Sequence, residues 1–311
     1  MNGDKPETMS PEQDATDPMM EPLKTLTQRI REGETIMTAL VAGIRHNWSG
    51  YDEEDNTTRL DDWDDLKVMR RTEDGAYVVT VDGNVRTYTE DALNARRTGY
   101  QLRTESDRSL GIFYVWAEGN NTVDRLTGGE RWAQIVEVNH RLDDPDDSTD
   151  VPETLGGLAW LISPTPDFKE FEGQTAAYTG TAHLSVYPSK GYRDDQTSRD
   201  RYWGDTSLRV NFSDMTLSGR LDGWENRDNP QEDVSGLALR LPDTEFTLDG
   251  FSGTFEAEGL DPGESATLTY DGVFSGPEAS AVGTISGTLS ESDGTQSTAI
   301  GFFWGAPPPS E

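Results

Sequence analysis

The hydrophobic and polar positions change their spacing along the chain. In the first stretch, Leu23, Leu26, Ile30, Met37, Leu40, Val41 and Ile44 recur at intervals of three, four and seven. That spacing predicts one amphipathic helix over Pro22–Arg45, with Gly33 as a point of weakness or bending. Short strands follow. Ala76–Val81 and Val85–Tyr88 flank Asp82-Gly83-Asn84, a hairpin turn in which glycine supplies the positive φ. Gly111–Ala117 and Arg131–His140 read as strands, and Thr89–Arg97 as one or two helical turns. From about Gln174 the pattern becomes regular: Thr175–Val186, Thr206–Phe212, Met215–Asp222, Leu237–Leu241, Thr244–Glu256, Ser265–Phe274, Ala281–Leu289 and Gln296–Trp304, spaced by Gly, Asp, Ser and Pro. Eight such strands in a meander predict a closed up-and-down barrel, small enough for side chains to fill. Thr216-Leu-Ser-Gly-Arg-Leu221 is echoed by Thr284-Ile-Ser-Gly-Thr-Leu289, as recurring hairpins would be.

This divides the chain into an acidic tether (1–21), an N-terminal α+β domain (22–168), an eight-stranded antiparallel barrel (169–306) and a Pro-rich tail (307–311). The fold class is mainly β, α+β overall. The 311 residues carry a formal charge of −32, which repels phosphates and anionic lipids and argues against a nucleic-acid binder. An excess of Asp over Lys also suits a saline habitat. Trp, Tyr and Phe number 8, 10 and 10, enough large apolar area to close a core. There is no cysteine, which removes disulfides, thiol nucleophiles and Cys-based metal sites. The opening MNGDKPETMSPEQDATDPMM has no basic and apolar regions of a signal peptide, and no apolar run reaches the length of a membrane-spanning helix. A cytosolic protein and a mature, exported form both fit, and the tether favours the second.

Five motifs in order along the barrel resemble the transferrin-binding protein B family of bacterial surface lipoproteins. They are Tyr178–Ala182; Leu208–Phe212 with Met215–Gly219; Phe251-Ser-Gly-Thr-Phe255; Gly272-Val-Phe-Ser-Gly-Pro-Glu-Ala-Ser-Ala-Val-Gly-Thr284; and Gly301–Gly305. The fourth is the most specific. It departs from the family's pattern at Ser275, at Ala281 where a Glu is usual, and at the single Gly283. The resemblance implies that 22–168 stands in the place of the family's handle domain. It also implies an exported binding protein at the outer membrane, tethered by a lipidated cysteine that this chain lacks. Its ligand would be an iron source (haem, or an iron- or metal-carrying protein). An outer-membrane translocon and a TonB-dependent receptor are possible partners by the same resemblance. The acidity argues against transferrin itself. An adhesion or immune-evasion binder, or an acidic structural protein without such a ligand, are the alternatives.

Catalysis has little support: His46, His140 and His183 are far apart, and no hydrolase, Walker or dinucleotide motif occurs. Asp143, Asp144, Asp146 and Asp147, or Asp61, Asp62, Asp64 and Asp65, offer calcium-type oxygens but miss the EF-hand register and read as solvated surface. No cofactor is required, although the three histidines or the tyrosines offer axial ligands should haem be the ligand. The richest segment is Ser189–Asp205, a long connection between the first two barrel strands. Lys190, Arg193, Arg199 and Arg201 balance four Asp there, with Tyr192, Tyr202 and Trp203 among them. Tyr, Trp and Arg dominate interface hot spots because they bury much area for few lost rotamers. The connection Gly223–Val234, with Trp224, is a second candidate of this kind. The expected partner-binding residues are Tyr192, Arg193, Arg199, Arg201, Tyr202, Trp203 and Trp224.

Overall fold

The computed structural model describes residues 23–47, 57–60, 67–70, 77–81, 84–88, 93–96, 99–102, 112–117, 132–141, 153–165, 167–188, 200–231, 234 and 236–308. The long helix expected over Pro22–Arg45 is replaced by a six-residue helix, α1 (Leu26–Arg31), and a thirteen-residue strand, β1 (Thr35–Asn47). A reciprocal cap starts α1: the Gln28 amide donates to Thr25 Oγ1 at 3.0 Å and the Thr25 amide to Gln28 Oε1 at 2.9 Å. Gly33, at φ 79°, stops it. Beyond it the β-branched Thr35, Ile36, Thr38, Val41 and Ile44 favour an extended chain. Ile36, Ala42 and Ile44 are buried in that strand.

β1 is central to an antiparallel sheet with β2 (Thr57–Leu60), β3 (Lys67–Arg70), β4 (Tyr77–Val81), β5 (Asn84–Tyr88), β6 (Leu93–Arg96), β7 (Gly99–Leu102), β8 (Ile112–Ala117), β9 (Ala133–Arg141) and β10 (Glu153–Ile162). Its order is β5-β4-β3-β1-β10-β9-β8-β7-β6, with β2 also on β1. The β4–β5 hairpin forms as expected, Tyr77 opposite Tyr88. The helical turns expected over Thr89–Arg97 are instead strand β6, paired with β7.

The second sheet holds β11 (Thr175–Pro188), β12 (Asp200–Asn211), β13 (Thr216–Asn226), β14 (Ala238–Glu245), β15 (Phe251–Thr254), β16 (Glu256–Glu258), β17 (Ser265–Ser275), β18 (Ser280–Ser290) and β19 (Gln296–Ala306). Each pairs antiparallel with its neighbours, and β19 returns to β11. β15 and β16 are one strand bent at Phe255: its first part pairs with β17 and its last with β14. The Phe255 amide still donates to Leu268 O at 2.9 Å. Counted so, eight strands close in up-and-down order, and the mainly-β reading holds. Along β12 buried and exposed residues alternate from Gly204 to Val210, the period of two that points Thr206, Leu208 and Val210 inward.

The barrel interior is packed with side chains, among them Tyr178, Leu208, Leu221, Leu239, Tyr270 and Phe303. A 3₁₀ turn (Lys169–Phe171) seals the end where β11 begins. Phe168 sits against Phe212, Phe246 and Phe274 at ring separations of 5.5, 5.4 and 5.3 Å, and Phe171 stacks on Phe212 at 4.9 Å.

A second core lies between the sheets. Ala42, Ile44, Ile135, Leu158 and Trp160 meet Tyr187, Val273, Val282, Ile300 and Phe302 of the barrel's outer face. The Trp160 indole donates to Gly283 O at 2.9 Å, and the Gly276 amide to Ser163 O at 2.9 Å. The Ser275 hydroxyl lies 2.8 and 3.0 Å from the carbonyls of Trp132 and Ser163. Gly276, at φ 73°, lies under the Trp132 ring, where a Cβ would come within 2.7 Å of Cγ. The Gly-Pro step of the most specific motif therefore serves as the landing place of the N-terminal sheet.

Candidate functional site

With the interior filled and one end sealed, the opposite end of the barrel is where connections are free to vary. The strand ends that lie there are those of β11 and β12, β13 and β14, β16 and β17, and β18 and β19. Tyr192, Arg193 and Arg199 lie outside the described residues, as do the two calcium-type clusters. Arg201, Tyr202, Trp203 and Trp224 are placed, on the outer halves of β12 and β13.

Arg201 is an anchoring residue. Its Nη2 donates to Asp228 Oδ1 at 2.6 Å, its Nε lies 3.1 Å from Oδ2, and its own amide donates to Oδ2 at 2.9 Å. A charge-assisted bidentate pair with an added amide donor is among the stronger polar contacts a surface offers. The Asp228 side chain is 12% exposed against 42% for Arg201. Asn226 Oδ1 accepts from the amides of Asp228 and Asn229, both at 2.9 Å, and the Arg227 amide donates to Arg201 O at 2.8 Å. These bonds tie the start of the 227–237 connection to the strand leaving 189–199. Asp228 is not among the residues expected from the sequence. Its only signal there is a place in an acidic, Asn-Pro-containing turn.

Neighbouring residues on β12 face opposite ways. Tyr202 packs on the barrel core, and Trp203 on the core between the sheets. Trp203 meets His183 at 4.9 Å edge-on, and His183 stacks on Phe302 at 5.2 Å. His183 is 7% exposed and is held in this ring stack. The registers put His46 opposite Thr154 and His140 opposite Leu155 in the other sheet. Trp224 is 2% exposed within the barrel core, so it supports this end from inside and presents no face to a partner. The exposed surface of the hairpin comes instead from Glu225, Arg227, Asn229, Pro230 and Gln231.

Among the described residues no cluster of His, Cys, Asp and Glu is arranged to hold a metal ion, and no helix is long and apolar enough to cross a membrane. Two titratable groups sit deep in the barrel. Burial, with the Glu278 carboxylate second, pushes the Tyr178 phenol well above its ordinary range. Burial also raises Tyr270, against the opposing effect of its 2.5 Å hydrogen bond with Thr244.

The fold is similar to solved structures. Transferrin-binding protein B from Haemophilus parasuis is 12% identical, with a TM-score of 0.42 over 88% of this chain and 45% of that one. The isotype 1 protein from Neisseria meningitidis is 15% identical, with a TM-score of 0.41 over 86% and 44%. HpuA from Kingella denitrificans, solved in complex with human haemoglobin, is 15% identical, with a TM-score of 0.37 over 93% and 92%. The chain thus spans less than half the length of the transferrin-binding protein B structures it matches. Two of these three are structures of the family whose motifs the barrel strands resemble, and the likeness is one of fold. No family model and no curated protein matches the chain.

Proposed function

We propose that this chain is a binding protein displayed at a bacterial cell surface, where it captures an iron-carrying protein without covalent chemistry. One observation carries the reading: the barrel is filled and sealed at one end, so a ligand meets only its outer surface and the opposite end. That geometry favours a macromolecular partner over a small molecule held inside, as larger barrels hold theirs. The five ordered motifs supply the iron-source component by resemblance, together with tethering at the outer membrane, a translocon for export and a TonB-dependent receptor downstream. Haem delivered free is the small-molecule version, with His46, His140 or a tyrosine as axial ligand.

The test is a pair of titrations on the purified chain. Biosensor binding is measured with human haemoglobin and with iron-loaded transferrin, and hemin is titrated by its Soret band. Saturable one-to-one binding of an iron-loaded carrier, with no hemin-dependent Soret shift, is the expected result. A saturable Soret shift lost in His46→Ala or His140→Ala moves the reading to haem. No binding of any probe defeats the iron-source reading and favours the adhesion alternative.

A further inference from the structure

Strand by strand, the N-terminal sheet follows the plan of the barrel. Apart from β2–β3 and β5–β6, each strand pairs with the next in the chain, and β10 returns to β1 as β19 returns to β11. A short helical element precedes each first strand: α1 ahead of β1, and the 3₁₀ turn Lys169–Phe171 ahead of β11. β2 and β3 both run antiparallel to β1, along its Gly43–His46 and Thr35–Met37 stretches, so they act as one strand in two pieces.

The sheet path ends at β5 and β6. That path, ten strands less β2, takes eight antiparallel steps, so β5 and β6 run in the same direction. Only residues 89–92 join the end of β5 to the start of β6. The five Cα–Cα steps from Tyr88 to Leu93 reach at most about 18 Å. Laid flat, the same strands would hold their edges about 38 Å apart. The sheet is therefore rolled, and β6 continues β5 much as β16 continues β15. β5 pairs with the strand before it and β6 with the strand after it, the division of partners that a bent strand allows. Counted as in the barrel, β1, β2–β3, β4, β5–β6, β7, β8, β9 and β10 make eight, and an antiparallel ring needs an even number.

The roll has an apolar face to enclose. Leu158 and Trp160 of β10 join the core shared with the barrel, whereas Ala159 and Leu161 alternate with them and face away. Both are nonetheless at most 1% exposed, as are Leu26 of α1 and Ile36 of β1. The barrel lies on the other side of β10, so the N-terminal half covers this face itself. The pairing row from Ala159 runs through Val136, Val115, Tyr100 and Ala95, apolar out to the edge. The neighbouring row from Leu158 runs through Glu137, Tyr114, Gln101 and Asn94 and turns largely polar.

We infer that the N-terminal half is a second closed, eight-stranded up-and-down barrel, whose wings β3–β5 and β6–β8 shut on each other over that apolar face. The occupant of the face is the chain itself. The molecule is then two barrels of one plan, joined near the first and last strands of each. Closure also removes the free strand edges, so the N-terminal half leaves a partner no edge to extend and no apolar sheet to cover. This closure is independent of what the protein binds.

Because the chain has no cysteine, paired spin labels can measure the ring in the full chain. Thr80→Cys on β4 and Gln101→Cys on β7 are two strand steps apart across a closed seam, about 10 Å, but six steps apart along an open sheet, about 29 Å. Double electron–electron resonance should read a distance below about 22 Å, label arms included. A longer distance overturns the closure. Thr87→Cys on β5 with Gln101→Cys, expected within the same limit, decides the case if the first pair does not fold.

Discussion

Single residues in this barrel do work that their type alone does not announce. Gly276 combines a positive φ with the pressure of the Trp132 ring, whereas Gly294, at φ 85°, has open space where a Cβ would stand, with nothing within 4 Å. Gly294→Ala should cost about 1 kcal/mol from backbone strain alone. Gly276→Ala should cost about 2–4 kcal/mol, because overpacking is added to the same strain. Chemical denaturation of the two variants checks this, and equal losses would mean that Trp132 does not press on the turn. Tyr178 makes the second prediction. Its phenol holds its proton more tightly folded than unfolded, so its contribution is fully present below pH 10 and declines as pH rises further. Stability should therefore fall above pH 10, and Tyr178→Phe should flatten that fall. A parallel decline in both proteins would assign it to other groups. Arg201 shows what residue types can reveal. Its chemistry marks it as an interface residue, but its partner Asp228 is 27 positions away and becomes visible only once β12 and β13 are paired.

Among the elements, the barrel strands were legible, and of the N-terminal sheet only β4, β5, β8 and β9 were, for physical reasons. A barrel strand has one face in the core and one in water, which writes a period of two into it. β12 shows that alternation plainly. β10 is covered on both faces at its centre: Leu158, Ala159, Trp160 and Leu161 are all at most 2% exposed. A strand buried twice over carries a continuous apolar run, which periodicity cannot distinguish from other buried segments. β1 misled in the other direction, since its apolar positions fall at helical intervals while its β-branched content and Gly33 decide for a strand. The bend at Phe255 and the sealing role of Phe168 depend on contacts across the barrel, and no local pattern records them. Removing that seal is the test at this scale. Phe168→Ala should cost about 2–4 kcal/mol, because one half-buried ring leaves a gap against three others. Calorimetry reads this directly, and a loss under about 0.5 kcal/mol would show that the linker only passes over the barrel end.

For the molecule as a whole, charge and architecture set the terms of binding. A chain at −32 repels itself, and the ion pairs seen on its barrel, such as Arg220 with Asp222 and Glu258, are exposed and worth little individually. Screening shortens the reach of that repulsion from about 10 Å at 0.1 M salt to about 3 Å at 1 M. The melting temperature should accordingly rise between 10 mM and 1 M NaCl. A fall would mean that attractive pairs outweigh the net charge. The two sheets share a buried core and several hydrogen bonds, which cover one outer face of the barrel. Away from that face, β12–β16 present exposed residues.

The central claim is that a partner is met at this end of the barrel. The measurement that tests it most directly is hydrogen exchange of the full chain with and without a saturating amount of whichever iron carrier, haemoglobin or transferrin, it binds in the titrations. The account predicts added protection in 200–204 and 225–231, with the turns at 212–215 and 246–250 unchanged. Protection confined to those turns, or none anywhere, would contradict it.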